Sequence, residues 1–286
     1  MKVAIIGANG QLGSDLSEVF SQKHEVIRLA HNDIDIVNAQ QVFSVLGSVR
    51  PDVVLNTAAA HNVPKCEEDP MNAYLVNGVG SLNLAKASNE FKFMLVHYST
   101  DYVFDGAKAK PYFEDDKTNP LNVYATTKLA GEGFICNYSE RGYVIRVSGI
   151  YGKVPCRAKG GNFITTMVRL AKEKPEVRVV NDEILTPTST FDIAVNSRIL
   201  VEREPKPGVY HMTNEGECSW YEFAHEIFAL LRLKTPLLET TTSRMTSQVK
   251  RPLYSVLENG LLKKEGMNHM PHWRDSLATF LRVNYS

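Results

Sequence analysis

Neither sign of charge is in excess in this chain. Its 32 Lys and Arg residues balance 32 Asp and Glu, so the composition gives no reason to expect nucleic acid or an anionic membrane surface as partner. No apolar run approaches the length of a membrane span. The opening "MKVAIIGANG" reaches glycine after a handful of apolar residues, too short for a secretory signal. Cysteine is scarce: Cys66, Cys136, Cys156 and Cys218 are scattered, with neither metal-finger spacing nor a dense disulfide framework. These absences lead us to expect a reduced, soluble, cytoplasmic protein without a bound metal. With 286 residues the chain can bury a substantial core, divided into two sub-regions rather than two independent domains.

What is present is alternation. Strands are predicted at 2–6, 24–30, 52–59, 93–100 and 143–152, and helices at 10–21, 38–49, 71–90 and around Tyr124. Short Val, Ile and Leu-rich runs separated by helical periodicity predict an α/β fold. Its expected form is a Rossmann-type, doubly wound parallel sheet with helices on both faces. After residue 152 the rhythm loosens. A loop at 153–162 carries Lys153, Arg157 and Lys159, followed by a helix at 162–174, a strand at 176–180 and a helix at 219–232. Residues 1–152 are assigned to a dinucleotide-binding domain, with about 176–210 returning to it. Residues 153–286 are assigned to a smaller α+β substrate region over the C-terminal edge of the sheet, where open parallel sheets bind ligands.

"IIGANGQLG" places Gly7, Gly10 and Gly13 between the first strand and the first helix. Glycines there permit a tight turn and close backbone approach, so that helix N–H groups can hold a pyrophosphate. Their spacing is G-x-x-G-x-x-G, one residue longer than the G-x-G-x-x-G form. At the end of the second strand an acid would favour NAD and a basic residue NADP. Ala30 and His31 stand there, with Arg28 and Asp33 near but off position, and Asp35 is close to where adenine would lie. NADPH is the cofactor expected, NADH the alternative.

The chemistry is expected from "HYSTDYVFDG" (97–106) and "NVYATTKLAGE" (122–132). Ser99 and Thr100 end the fourth strand, where a hydroxyl can bond a carbonyl oxygen. Tyr124 and Lys128 are one helical turn apart and share a face. A phenol titrates near pH ~10, and an adjacent ammonium stabilises phenolate, so Lys128 is expected to make Tyr124 a better acid. Tyr-x-x-x-Lys alone is more often a surface pair. Together with the strand-end threonine and the glycine turn it reads as a catalytic set. His97 and Arg146 read as satisfied structural residues, and Trp220, Tyr221 and Phe223 as core. Arg251 suits a diphosphate. Asn162 reads as an N-cap, a diphosphate ligand, or both.

These motifs resemble the extended short-chain dehydrogenase/reductases, and within them the dTDP-4-dehydrorhamnose reductase family. The likeness runs from "KVAIIGANGQLG" through "HYSTDYVFDG", "PLNVYATTKLAGE", "NDEILTPTSTFDIA" and "GVYHMTNEGECSWYEFA" to "HWRDSLATFL", nearly the whole chain. It implies reduction of the C4 ketone of a dTDP-linked 6-deoxy-4-keto sugar to dTDP-L-rhamnose. By the same match Thr100, Tyr124 and Lys128 are catalytic. Gly7, Gln11, Leu12, Asp35, Ile36, Ala58, Ala59 and Lys128 are expected to meet the cofactor, joined by Gly10, Gly13 and His31. His61, Asp101, Val103, Asn162 and Arg251 are expected on the sugar-nucleotide side. The protein is expected to be a homodimer. Related 4,6-dehydratases carry Thr-Asp-Glu, whereas here Tyr102 follows Asp101, which argues against elimination chemistry. The chain departs from the family at His61-Asn62-Val63-Pro64, at Gly149 in place of tryptophan, and at Glu183 and Leu185. Another nucleotide sugar is therefore an alternative substrate. So is a non-catalytic role like that of the methionine adenosyltransferase regulatory subunit.

Overall fold

The computed structural model describes residues 1–155, 160–244 and 249–285. Cys156, Arg157 and Lys159 lie outside the described residues. The first half runs β1 (Lys2–Ile6), α1 (Gln11–Ser21), β2 (Glu25–Leu29), α2 (Ala39–Val49) and β3 (Val53–Asn56). It continues through α3 (Val63–Glu68), α4 (Pro70–Tyr74), α5 (Gly80–Phe91), β4 (Met94–Thr100), α6 (Val123–Tyr138) and β5 (Gly142–Val147). The second half contains β6 (Ile150–Tyr151), α7 (Phe163–Glu173), β7 (Val177–Val180), β8 (Ile184–Leu185), β9 (Thr188–Ser189), α8 (Thr190–Arg203) and β10 (Gly208–His211). It closes with β11 (Cys218–Ser219), α9 (Trp220–Leu230), β12 (Leu237–Thr240), α10 (Gly260–Lys264) and α11 (Trp273–Asn284).

Six strands form one sheet in the order β10-β5-β4-β3-β1-β2, and every pairing is parallel. The order reverses between β1 and β3, which opens a crevice at their C-terminal ends. Apolar side chains cover most of both faces, as the largely hydrophobic strands require. Leu12, Leu16 and Phe20 of α1 pack with Ile193 and Leu200 of α8 on one face. Val42, Leu46, Leu84 and Ile135 cover the other. A separate core around Ile164, Phe223, Ile227 and Trp273, with Trp220 and Tyr221 packed against it, serves the second half. The chain rejoins the sheet through α8 and β10, later than the strand at 176–180, which instead pairs with β12.

Two predicted elements are each split by one local feature. The helix expected at 71–90 is broken by a wide π turn over Leu75–Val79. There the Asn77 carboxamide accepts from Ala60 N at 2.9 Å and donates to Ala60 O at 2.9 Å and to Thr127 Oγ1 at 3.0 Å. Buried bonds to another segment replace regular helical winding at this turn. The strand expected at 143–152 divides at Ser148-Gly149, because Gly149 has φ +51° and turns the chain away from the sheet.

Candidate active site

The glycine turn is packed too tightly for side chains. Gly7 has φ +78°, and a Cβ there would lie 2.6 Å from Thr57 Oγ1. A Cβ on Gly13 would meet Gly7 O at 2.3 Å. Gly10 N donates to Gly7 O at 2.8 Å, closing the turn at the N-terminus of α1. Thr57 Oγ1 donates to Ile6 O at 2.8 Å, which ties β1 to the loop carrying Ala58 and Ala59 across the crevice. Leu12 faces the core, whereas Gln11 donates to Ile150 O at 3.1 Å and holds a buried Oε1 with no partner among the described residues. A backbone cradle with one buried acceptor left over fits a dinucleotide lying across the β1/β3 crevice.

At the adenosine end, Asp35 Oδ1 accepts from Val37 N at 3.0 Å and Ile36 is buried. His31 is exposed beyond β2. Arg28, off position by sequence reasoning, reaches back to the glycine turn, its Nη2 3.4 Å from Ala8 O. Asp33 is occupied locally, accepting from Ala30 N at 2.7 Å.

Below this crevice, the sheet face covered by α6 carries a row of buried polar side chains. Asn56 of β3 is in register with His97 of β4, and Ser99 of β4 with Arg146 of β5. Two residues of α6 meet this row. Lys128 donates to Tyr98 O at 2.6 Å and lies 3.1 Å from His97 Nε2. Glu132, one turn on, receives Arg146 through Nη2 at 2.7 Å and Nε at 3.0 Å, and Ser99 Oγ at 2.5 Å. Ser99 is thereby committed to Glu132, leaving Thr100 as the hydroxyl on the cleft side of the strand end. Arg146 is a structural residue, stacked 5.1 Å from the Phe104 ring centroid.

Tyr124 is partly buried near the start of α6, whose first turn is capped by Asn122 accepting from Ala125 N at 2.9 Å. Desolvation pushes its phenol above the ordinary value, and the hydrogen bond with Thr100 opposes this. Burial brings Lys128 down to about 8, with Glu132 the opposing influence. Lys128 is not among the causes acting on Tyr124, so the lowering expected from the pair's helical spacing is not found in the ligand-free site.

Asp101 is buried beside Thr100. It accepts from Ser255 Oγ at 2.6 Å, Ser148 Oγ at 2.8 Å and Thr100 Oγ1 at 3.1 Å. Burial raises it to about 6, and the three hydroxyls hold it back from rising further. Val103 lies fully buried in a small cluster with Phe104, Tyr112 and Leu257. His61 is half-buried on the loop after β3, its Nδ1 3.1 Å from Ala59 O. Asn62 starts α3 as its N-cap with Pro64 in the first turn, so the altered 61–64 stretch is a helix start. Asn162 caps α7, accepting from Thr165 N at 3.0 Å and donating to Gly152 O at 2.9 Å. Arg251 presents a buried Nε with no partner among the described residues, and its charge acts on both Tyr102 and Glu183. Two departures prove linked: a Cβ on Gly149 would lie 2.7 Å from Leu185 Cδ1, so Leu185 fills the space a larger residue at 149 would enter.

The RmlD substrate binding domain model matches residues 1–285. The chain belongs to that family. It is 39% identical to the spore coat polysaccharide biosynthesis protein SpsK of Bacillus subtilis, covering 100% of this chain and 98% of that protein. A crystal structure of a dTDP-4-dehydrorhamnose reductase from Clostridium acetobutylicum superposes with TM-score 0.94 at 38% identity, covering 99% of each chain. The Bacillus anthracis dTDP-4-dehydrorhamnose reductase, solved in complex with NADP, gives TM-score 0.94 at 36% identity, again over 99% of each chain. Of the residues expected from sequence, the glycines form the tight turn before α1, and Thr100, Tyr124 and Lys128 lie at the end of β4 and on α6. Sequence reasoning did not single out Asn56, which strand pairing sets beside His97, or Glu132, which the packing of α6 sets against Arg146.

Proposed function

We propose that this protein is an NADPH-dependent reductase of the C4 ketone of a nucleotide-linked 6-deoxy-4-keto sugar, and that its substrate is dTDP-4-dehydrorhamnose. The observation that carries this reading is Tyr124 beside Thr100 at the strand end, with Lys128 one turn along α6 and a glycine cradle at the start of α1. Residues 1–152, joined by 190–211, would hold the dinucleotide, and the remainder after 153 the sugar nucleotide. Gly7, Gly10, Gly13 and the N-terminus of α1 would bind the pyrophosphate, with Gln11, Leu12, Asp35, Ile36, Ala58 and Ala59 around it. Arg28, a cation at the glycine turn, supports NADPH over NADH. No helix among the described residues is long and apolar enough to cross a membrane, in keeping with cytoplasmic sugar-nucleotide synthesis. A homodimer belongs to the same reading.

Bound NADPH would supply the hydride to the carbonyl carbon. Thr100 orients the carbonyl oxygen, and Tyr124 gives it a proton as charge develops there. Lys128 would hydrogen-bond the nicotinamide ribose. Arg251 offers its guanidinium to the diphosphate, with Asn162 at the α7 N-terminus near it. Leu185 replaces the family's tryptophan wall at 149 as the apolar side of the sugar pocket. The test is NADPH and NADH oxidation with a panel of nucleotide-linked 4-keto sugars. Oxidation fastest with NADPH and the dTDP sugar is expected, and silence across the panel would overturn the reading.

A further inference from the structure

The first turn of α6 carries Tyr124, and the residue that caps it makes two different bonds. A helix N-cap needs only an acceptor, which Ser, Thr and Asp supply as Asn does. Asn122 Oδ1 fills that role, accepting from Ala125 N at 2.9 Å. An amide N–H can only donate, so the carboxamide orientation is fixed and its nitrogen is free to reach elsewhere. That Nδ2 donates to Lys250 O at 3.0 Å, across 128 residues of chain. Asn122 is buried, and both bonds agree on one orientation. Aspartate has no donor for the second bond, and a serine hydroxyl ends one bond short of the amide nitrogen.

Lys250 opens a short segment with further ties. Leu253 O accepts from Ile184 N at 2.8 Å, and Ser255 N donates to Ile184 O at 2.8 Å, so the segment is pinned along β8. Ser255 Oγ donates to Asp101 at 2.6 Å, and Asp101 accepts from Thr100. Arg251 lies between these ties, its Nε buried and without a partner among the described residues. The α6 turn is held from a second side by α3, whose Glu67 accepts from Val123 N at 2.8 Å. One stretch of chain therefore reaches the neighbours of both Thr100 and Tyr124 while carrying a cation suited to an anionic ligand.

We propose that Asn122 is a positioning residue: by holding Lys250 it fixes Tyr124 relative to Arg251, so that anchoring a diphosphate on Arg251 sets the ketone against the phenol. The inference rests on the reductase reading above, in which Arg251 meets the diphosphate. Asn122 touches neither ketone nor cofactor and acts through the first turn of α6. The sugar hangs from the diphosphate through its anomeric oxygen, so an error in the gap between Arg251 and Tyr124 passes to the reacting carbonyl. Binding at the diphosphate then contributes to turnover as well as to affinity.

Asn122→Ser keeps a cap and loses reach, and Asn122→Asp keeps a cap and loses the donor. Both variants are expected to fold and to bind NADPH as the wild type does, while kcat falls about tenfold to a hundredfold. The link itself is read by amide hydrogen exchange, with dTDP as the probe and no sugar present. In the wild type, dTDP is expected to slow exchange at residues 123–126 roughly fivefold, the scale of one hydrogen bond. In Asn122→Ser saturated with dTDP, the same amides are expected to exchange as they do without it. Equal slowing in the variant, no slowing in the wild type, or wild-type kcat in the folded variants would each overturn the proposal. Exchange requires no ketone to be reduced. Slowing by dTDP without turnover of any sugar would fail the reductase reading alone, and turnover without slowing would fail the link alone.

Discussion

The face of the sheet beneath α6 and the rim above the strand ends are built from similar polar residues, yet they are completed differently. Beneath α6, Arg146 is bound by Glu132, Glu132 also by Ser99, and Lys128 by His97 and the Tyr98 carbonyl. On the rim, Gln11 Oε1 and Arg251 Nε are buried without partners among the described residues. A buried group satisfied within the chain contributes to the fold, and one left over is suited to a ligand. Tyr124 belongs to both regions, rooted in α6 and open to the cleft.

Substitutions separate the two regions, from the largest effect to the smallest. Tyr124→Phe is expected to cut turnover on the order of a thousandfold, with dinucleotide affinity unchanged by fluorescence titration. Glu132→Ala leaves the Arg146 charge buried and unpaired, which costs about 3–5 kcal/mol and is measured by urea unfolding. Arg251→Ala is expected to leave unfolding unchanged and to raise KM for the sugar nucleotide roughly tenfold to a hundredfold. Equal losses of stability from Glu132→Ala and Arg251→Ala would erase the distinction between the two regions.

The smallest effect concerns pH. Asp101 has its folded pKa raised to about 6, so the folded chain holds that proton more tightly than the unfolded one. Its contribution to stability is therefore present below the ordinary carboxylate range and lost as pH rises through about 6. Ser255→Ala removes a donor to the carboxylate, so this window is expected to move upward. Unfolding free energies measured across acidic pH would show the move.

The alternating apolar runs made the parallel sheet legible, because strands buried on both faces need few polar residues. The glycine turn and the Thr100–Tyr124–Lys128 order were legible for a similar reason: each is a local pattern with a local mechanism. What sequence hid depends on register and on long-range contact. Asn56 meets His97 because β3 and β4 pair in that register, and Glu132 meets Arg146 because α6 packs over β5. The break at Asn77 arises from bonds to Ala60 and Thr127, each far along the chain. Gly149 and Leu185 look like separate departures in sequence and form one exchange of volume in space.

The central claim is that Tyr124 and a bound nicotinamide together reduce a C4 ketone at the rim of the β1/β3 crevice. It is tested most directly with NADPH deuterated at its transferable position and dTDP-4-dehydrorhamnose, the product being read by NMR. The account expects deuterium on C4 of a dTDP-6-deoxy sugar with wild-type protein and almost none with Tyr124→Phe. Unreduced ketone with wild type, or equal labelling by the variant, would contradict it.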